Sequence, residues 1–160
     1  MKKIRLILSI SIVAALACAF VAPEAKMYNV EKKQSIDTVR WEFIADQMIP
    51  DYGQSKQVSG GYSVIYNGKK LDVHLPYSGK AETAINTYPD HSPLDFASTN
   101  FKMDKRQGKP GEWRISVVPS DNTEIRSMEF TFYDNGSANL DVTFTGRSGV
   151  SFRGSVRFMK

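Results

Sequence analysis

Cysteine is almost absent from this 160-residue chain: one residue, Cys18, excludes an internal disulfide framework and any cluster of metal-binding thiolates. Histidine is nearly as scarce. His74 and His91 alone leave little for metal or nucleophilic chemistry, and neither has a second ligand at suitable spacing. Glycine (11) and proline (7) are too few for a collagenous or low-complexity chain. Beyond the first twenty residues there is no long apolar run, so a polytopic helical membrane protein is excluded. What remains is an ordinary composition, 41% hydrophobic and 24% charged, in a chain the length of one domain.

The N-terminus carries an address. Met1-Lys2-Lys3-Ile4-Arg5 is a basic start, Leu6 to Ala17 is apolar, and small residues follow, as in a secretory signal peptide over 1–19. Cleavage after Ala19 uses Ala17-Cys18-Ala19, a small-x-small site. The stretch Ala15-Leu16-Ala17-Cys18 also resembles a bacterial lipobox, which would lipidate Cys18, although Ala15 stands where that motif prefers Leu, Val or Ile. An uncleaved anchor ranks third, because the apolar stretch barely reaches the roughly 17–25 residues of a bilayer span. Removing Lys2, Lys3 and Arg5 from the 21 basic residues leaves 18 against 17 acids, a net of +1. The mature chain therefore lacks the sustained positive surface that nucleic acid requires.

Residues 20–36 are polar without a firm period and read as a tether. From 37 to 160 the chain reads as a single β domain, with turn residues every 8–12 positions. Met128, Phe130 and Phe132 alternate with polar residues, as do Leu140, Val142 and Phe144, and then Val150, Phe152, Gly154, Val156 and Phe158. Such period-2 patterning means strands with one dry and one wet face, which puts Arg153 and Arg157 outside as a solvated rim. Further strands are expected at Thr38–Ile44 and Glu112–Val118, a short one at Phe101–Asp104, and a weak one at Ala81–Asn86. The parity of Leu94 and Phe96 against Phe101 and Met103 implies a break near Ser98–Asn100.

Two Asn-Gly pairs set registers. At Asn67-Gly68 a two-residue type I′ turn would pair Tyr66 with Lys69 and Val64 with Leu71, keeping the larger apolar side chains on one face. At Asn135-Gly136 the same turn would oppose core to solvent. A three-residue loop with Gly136 left-handed pairs Phe132 with Ala138, Phe130 with Leu140 and Met128 with Val142, and is expected instead. The fold class is all-β: an antiparallel up-and-down barrel or strongly curled meander of about eight strands, lipocalin-like.

Several phrases in order carry a resemblance: Phe43 to Pro50 (FIADQMIP), Val58 to Ser63 (VSGGYS), Leu75 to Ala81 (LPYSGKA), Gly111 to Ile115 (GEWRI), Asn135 to Leu140 (NGSANL) and Ser151 to Gly154 (SFRG). Together they resemble a family of small secreted proteins from Bacteroidetes catalogued as domain of unknown function 4251. The resemblance implies an envelope-directed β fold, similar in topology to lipocalins, with many members carrying lipoprotein signals. It implies no activity and no site.

Candidate chemistry is sparse. Asp90-His91-Ser92 holds the letters of a hydrolase triad, but neighbouring residues seldom converge on one centre. Asp37, Glu42, Asp46 and Asp51 cluster near the first strand without spacing that shows convergence. Ser59-Gly60-Gly61, Gly146 and Gly149 follow no phosphate-loop pattern. His74 sits on the wet face with Asp72, as a surface imidazole. The segment Pro76 to Pro93 is long for a connection and carries residues suited to stacking and hydrogen bonding. The candidate ligand-binding residues are Tyr62, Tyr66, Tyr77, Lys80, Tyr88 and His91. The many large rings on the dry face, Trp41, Phe43, Trp113, Phe130, Phe132, Phe144, Phe152 and Phe158, favour a filled interior, so a ligand would sit at an open end.

The expectation is an exported, non-enzymatic binding module of the periplasm or the outer-membrane-associated envelope, without cofactor or metal. Its partner would be a small apolar molecule, a glycan or an envelope protein, and it would touch the membrane only through a lipid at Cys18. The alternative is an accessory interaction module with a filled interior and an exposed strand edge. A hydrolase is third.

Overall fold

Strands dominate because apolar side chains recur at every second position and need one common interior. The computed structural model describes residues 40–79 and 92–159. It shows ten strands and, among these residues, no helix: β1 (Arg40–Pro50), β2 (Lys56–Gln57), β3 (Ser63–Tyr66), β4 (Leu71–His74), β5 (Asp95–Ser98), β6 (Phe101–Gln107), β7 (Glu112–Pro119), β8 (Ile125–Tyr133), β9 (Ser137–Phe144) and β10 (Val150–Met159). All pair antiparallel in the order β5-β4-β3-β1-β10-β9-β8-β7-β6, with the short β2 added to β1. The sheet curls into a nearly closed barrel.

The two end strands, β5 and β6, follow one another in sequence. Because every step along the nine-strand path is antiparallel, they run in the same direction. They therefore act as a single stave broken at Thr99-Asn100, whose first half pairs with β4 and whose second half pairs with β7. This makes eight staves, and the break falls where the parity of the sequence puts it. Asp121, in the β7–β8 connection, holds the break. Its Oδ1 accepts from the buried Ser98 Oγ at 2.5 Å, and its Oδ2 accepts from the backbone N–H of Thr99 (3.1 Å) and Asn100 (3.2 Å). The Ser98 hydroxyl above all, with those N–H groups, holds the Asp121 carboxyl below its usual range despite some desolvation.

The interior is packed with rings. Trp41 is wholly buried, with Phe130 4.9 Å and Phe132 5.2 Å away edge-on and Tyr66 5.6 Å away. Phe43, Phe152, Leu140, Met128, Val64 and Leu71 fill the remaining layers. Two expected core residues lie at the rim. Trp113 is half-buried, and Phe158 is 40% exposed although its edge meets Phe132 at 6.3 Å. Both fall on the inward-facing positions of their strands, at the turn end of the barrel.

Two strands run further than the alternation suggests, for the same reason. In β1 the register shifts between Ala45 and Gln47, so Asp46 bulges outward and the buried set passes from Trp41, Phe43 and Ala45 to Met48 and Pro50. In β8 a shift between Ile125 and Ser127 lets Ile125 join Met128, Phe130 and Phe132 inside. Beside the first bulge lies Gly154, where any side chain would run into the Ile44 carbonyl. β6 likewise extends to Gln107, past the expected Asp104.

The hairpin at 134–136 has the expected register, with Phe132 opposite Ala138, Phe130 opposite Leu140 and Gly136 at φ 81°. The hairpin at 67–70 corrects its expectation. Tyr66 pairs with Leu71 and Val64 with Val73, so the turn is Gly68-Lys69, not Asn67-Gly68. Gly68 takes the left-handed first central position (φ 96°), as in a type II′ turn, while Asn67 Oδ1 accepts from the N–H of Lys69 (3.0 Å) and Lys70 (2.8 Å). Both registers keep the same faces dry, so facial matching could not separate them; the side-chain bonds of Asn67 do.

Candidate functional site

The connections at one end of the barrel are tight turns: 67–70, 108–111 and 134–136. At the other end lie the connections 51–62, 120–124 and 145–149, with the described parts, 75–79 and 92–94, of the one between β4 and β5. Function on such a scaffold concentrates at the loop end.

Of the six expected ligand-binding residues, Lys80, Tyr88 and His91 lie outside the described residues, as do Cys18, the tether and the Ala81–Asn86 strand. The other three are not brought together. Tyr66 belongs to the wall near the tight-turn end: it is 7% exposed, its hydroxyl donates to the Gly68 carbonyl at 3.1 Å, and Phe101 and the Lys105 ammonium lie against its ring. Tyr62 is half-buried at the margin of the core and stacked on His74, with ring centroids 5.3 Å apart. His74 is a surface imidazole as expected, but its Nδ1 faces Asp95 at 3.3 Å across the β4–β5 pair, while Asp72 pairs with Lys70 at 2.5 Å. Tyr77 is at the loop end. Its hydroxyl donates to the Ser148 carbonyl at 2.9 Å, and its ring packs on Phe144 (5.0 Å) and beneath the Arg147 guanidinium (6.0 Å).

The letters of the triad dissolve in the same way. Ser92 Oγ donates to the Leu75 carbonyl at 2.7 Å and accepts from the Leu94 N–H at 3.1 Å, which builds a turn, while Asp90 and His91 lie outside the described residues. Of the four carboxylates near the first strand, Glu42 pairs with Arg157 at 2.7 Å, Asp46 occupies the bulge and Asp37 lies outside the described residues. Arg153 and Arg157 are exposed, as expected of a solvated rim.

Asp51 is different. It lines, with Tyr52, Asp141, Thr143, Arg147 and Ser151, a solvent-open depression of about 320 Å³ beside the 145–149 turn. Strand pairing assembles it: β1 ends at Pro50 opposite Val150, which carries Asp51 and Tyr52 to Gly149, and the Asp51 N–H donates to the Gly149 carbonyl at 3.2 Å. Asp141 and Ser151 are cross-strand partners on β9 and β10, with Ser151 Oγ donating to Asp141 Oδ1 at 2.5 Å. The turn itself is fixed by Arg147, nine-tenths buried, which reaches Glu124 at 3.2 Å; one of its terminal guanidinium nitrogens still lacks a well-aligned acceptor. Sequence reasoning passed over Tyr52, Asp141, Arg147 and Ser151. The only signal was an arginine between two glycines, Gly146 and Gly149, in a connection too tight to expose it.

A second depression, about 280 Å³, lies on the outer wall among Asp104, Arg106, Arg114, Ser116 and Glu129. Its groups satisfy each other: Arg106 with Asp104 and Ser116 with Glu129, both at 2.6 Å, while Arg114 turns to the buried Glu112 at the same distance. No three His, Cys, Asp or Glu side chains among the described residues are placed to hold a metal ion.

No curated protein matches the chain. The family model described as domain of unknown function DUF4251 matches residues 24–156, beginning inside the segment read as a tether and covering most of the length. A match over that much of the sequence shows that the chain belongs to the DUF4251 family.

Proposed function

We propose that the chain is an exported, non-enzymatic recognition module of the cell envelope that meets a hydrophilic partner, a glycan or an envelope protein, at the loop end of a filled barrel. One observation carries the reading: the interior is occupied by Trp41, Phe43, Phe130, Phe132 and Phe152, while the larger of the two depressions is polar and open to solvent. Pockets for apolar ligands are concave and mostly apolar, bury most of the ligand, and are usually pre-formed. This geometry favours the hydrophilic partner over the small apolar molecule. Hydrolysis ranks third, because Ser92 and Glu42 are committed to structural bonds. The basic and apolar leader supports export, to the periplasm or the outer-membrane-associated envelope, with Cys18 the one lipidation point.

A second reading, a module that adds a partner's strand to a sheet edge, is favoured by the backbone of β6, the last strand of the path among the described residues. The bonds Gly108 N–H to Glu112 and Ser120 N–H to Asn100 put even-numbered residues in the hydrogen-bonded pairs with β7. The backbone groups of Phe101, Met103 and Gln107 therefore face the seam. Lys105, on the inner face of this edge, is the kind of charge that guards an edge against pairing, which makes this the lesser reading.

Native mass spectrometry of protein purified from its own host tests the proposal. The expected mass is that of the processed polypeptide, with a lipid at Cys18 if the lipobox is used and no retained apolar molecule. A co-purifying fatty acid, sterol or similar molecule held non-covalently would overturn the reading.

A further inference from the structure

The depression beside the 145–149 turn has the chemistry of a saccharide subsite, and we propose that it binds a neutral sugar residue of a glycan. The inference rests on the preceding reading, that recognition takes place at the loop end.

Tyr52 is 63% exposed, against 40% for Phe158 and 37% for Val118. A phenol ring at the rim of a polar hollow offers a flat apolar face to the C–H face of a pyranose and loses little side-chain entropy in doing so. Asp51, Asp141, Thr143 and Ser151, which carry carboxylates and hydroxyls, line the same depression. The bond from Ser151 uses only part of the accepting capacity of Asp141, so its other oxygen is available to sugar hydroxyls. Adjacent hydroxyls on a sugar are donors and acceptors together, which a carboxylate beside a side-chain hydroxyl matches.

Charge and polarity select the ligand class. An anionic group would face both Asp51 and Asp141, since the nearby cation, Arg147, is turned to Glu124. An apolar ligand would strip water from these groups without replacing the bonds, which leaves each buried polar group unsatisfied. A neutral polyol avoids both costs. The volume lies at the small end of ligand sites, roughly 300–1,000 Å³, and the open side lets a longer chain run out into solvent. Arg147 is a positioning residue here: through Glu124 and the Tyr77 ring it fixes the turn that carries Ser148 and Gly149.

The test is amide chemical-shift mapping of the mature chain with soluble neutral polysaccharides at millimolar sugar concentration: a β-glucan, an α-mannan, a galactan and an N-acetylglucosamine oligomer. At least one should shift the resonances of Tyr52, Thr143, Gly149 and Ser151. Its affinity should fall about tenfold in Tyr52→Ala and in Asp141→Asn, while Tyr62→Ala, a residue that does not line the depression, leaves it unchanged. Unfolding midpoints of the variants confirm that they are folded. Silence of those resonances toward every probe, or binding that survives Tyr52→Ala, overturns the inference. Either result leaves the loop-end reading standing, whereas an apolar molecule retained in the barrel defeats that reading itself.

Discussion

Asp121 shows how a single side chain sets the behaviour of a barrel. Three donors converge on its carboxylate at the break between β5 and β6, and they lower its pKa in the folded state. A carboxyl with a lowered folded pKa contributes stability that is fully present above its unfolded pKa and is lost as pH falls through the folded one. Thermal unfolding followed from neutral pH into acid should therefore show the wild type ahead of Asp121→Asn at neutral pH and the two midpoints converging as pH falls through the acid range, with the flatter acid limb in the variant. Gly154 is a steric case. Its neighbour is the rigid Ile44 carbonyl rather than a flexible side chain, so Gly154→Ala should cost at least about 1–3 kcal/mol in urea titration, the range for overpacking.

Strands and turns differ in how far their sequence exposes them. The register of the 134–136 hairpin was legible because only one pairing keeps Phe130 and Phe132 opposite apolar partners. At 67–70 two registers satisfy the same face, and the deciding bonds of Asn67 to Lys69 and Lys70 leave no trace in hydrophobic alternation. Asn67→Ala should thus cost about 1 kcal/mol by loss of the turn bonds, measured by denaturant midpoint, with Tyr66 still opposite Leu71. The strand ends at Pro50 and Ile125 were obscured by bulges, since one extra residue reverses the parity on which the reading of strands depends. The candidate site was the least legible part. Asp51 stood out only as one acid among several, and Asp141 and Ser151 looked like ordinary outward-facing residues. They converge with Tyr52 because β1, β9 and β10 are neighbours in the sheet, a long-range pairing that local pattern does not contain.

Taken whole, the molecule joins a dry, ring-filled interior to a polar loop end, and that separation is why the proposed recognition is assigned to the outside of the barrel. Removal of a central ring should be felt globally: Phe130→Ala, which withdraws contacts from Trp41, Phe43 and Phe132, should cost about 3–5 kcal/mol in equilibrium unfolding. The most direct measurement uses Trp41 as the reporter of the interior. With Trp113→Phe as background, Trp41 is the remaining indole of the chain. A filled barrel predicts blue-shifted emission that iodide does not quench and that fatty acids leave unchanged; red-shifted, quenchable emission, or a response to added apolar molecules, would contradict it.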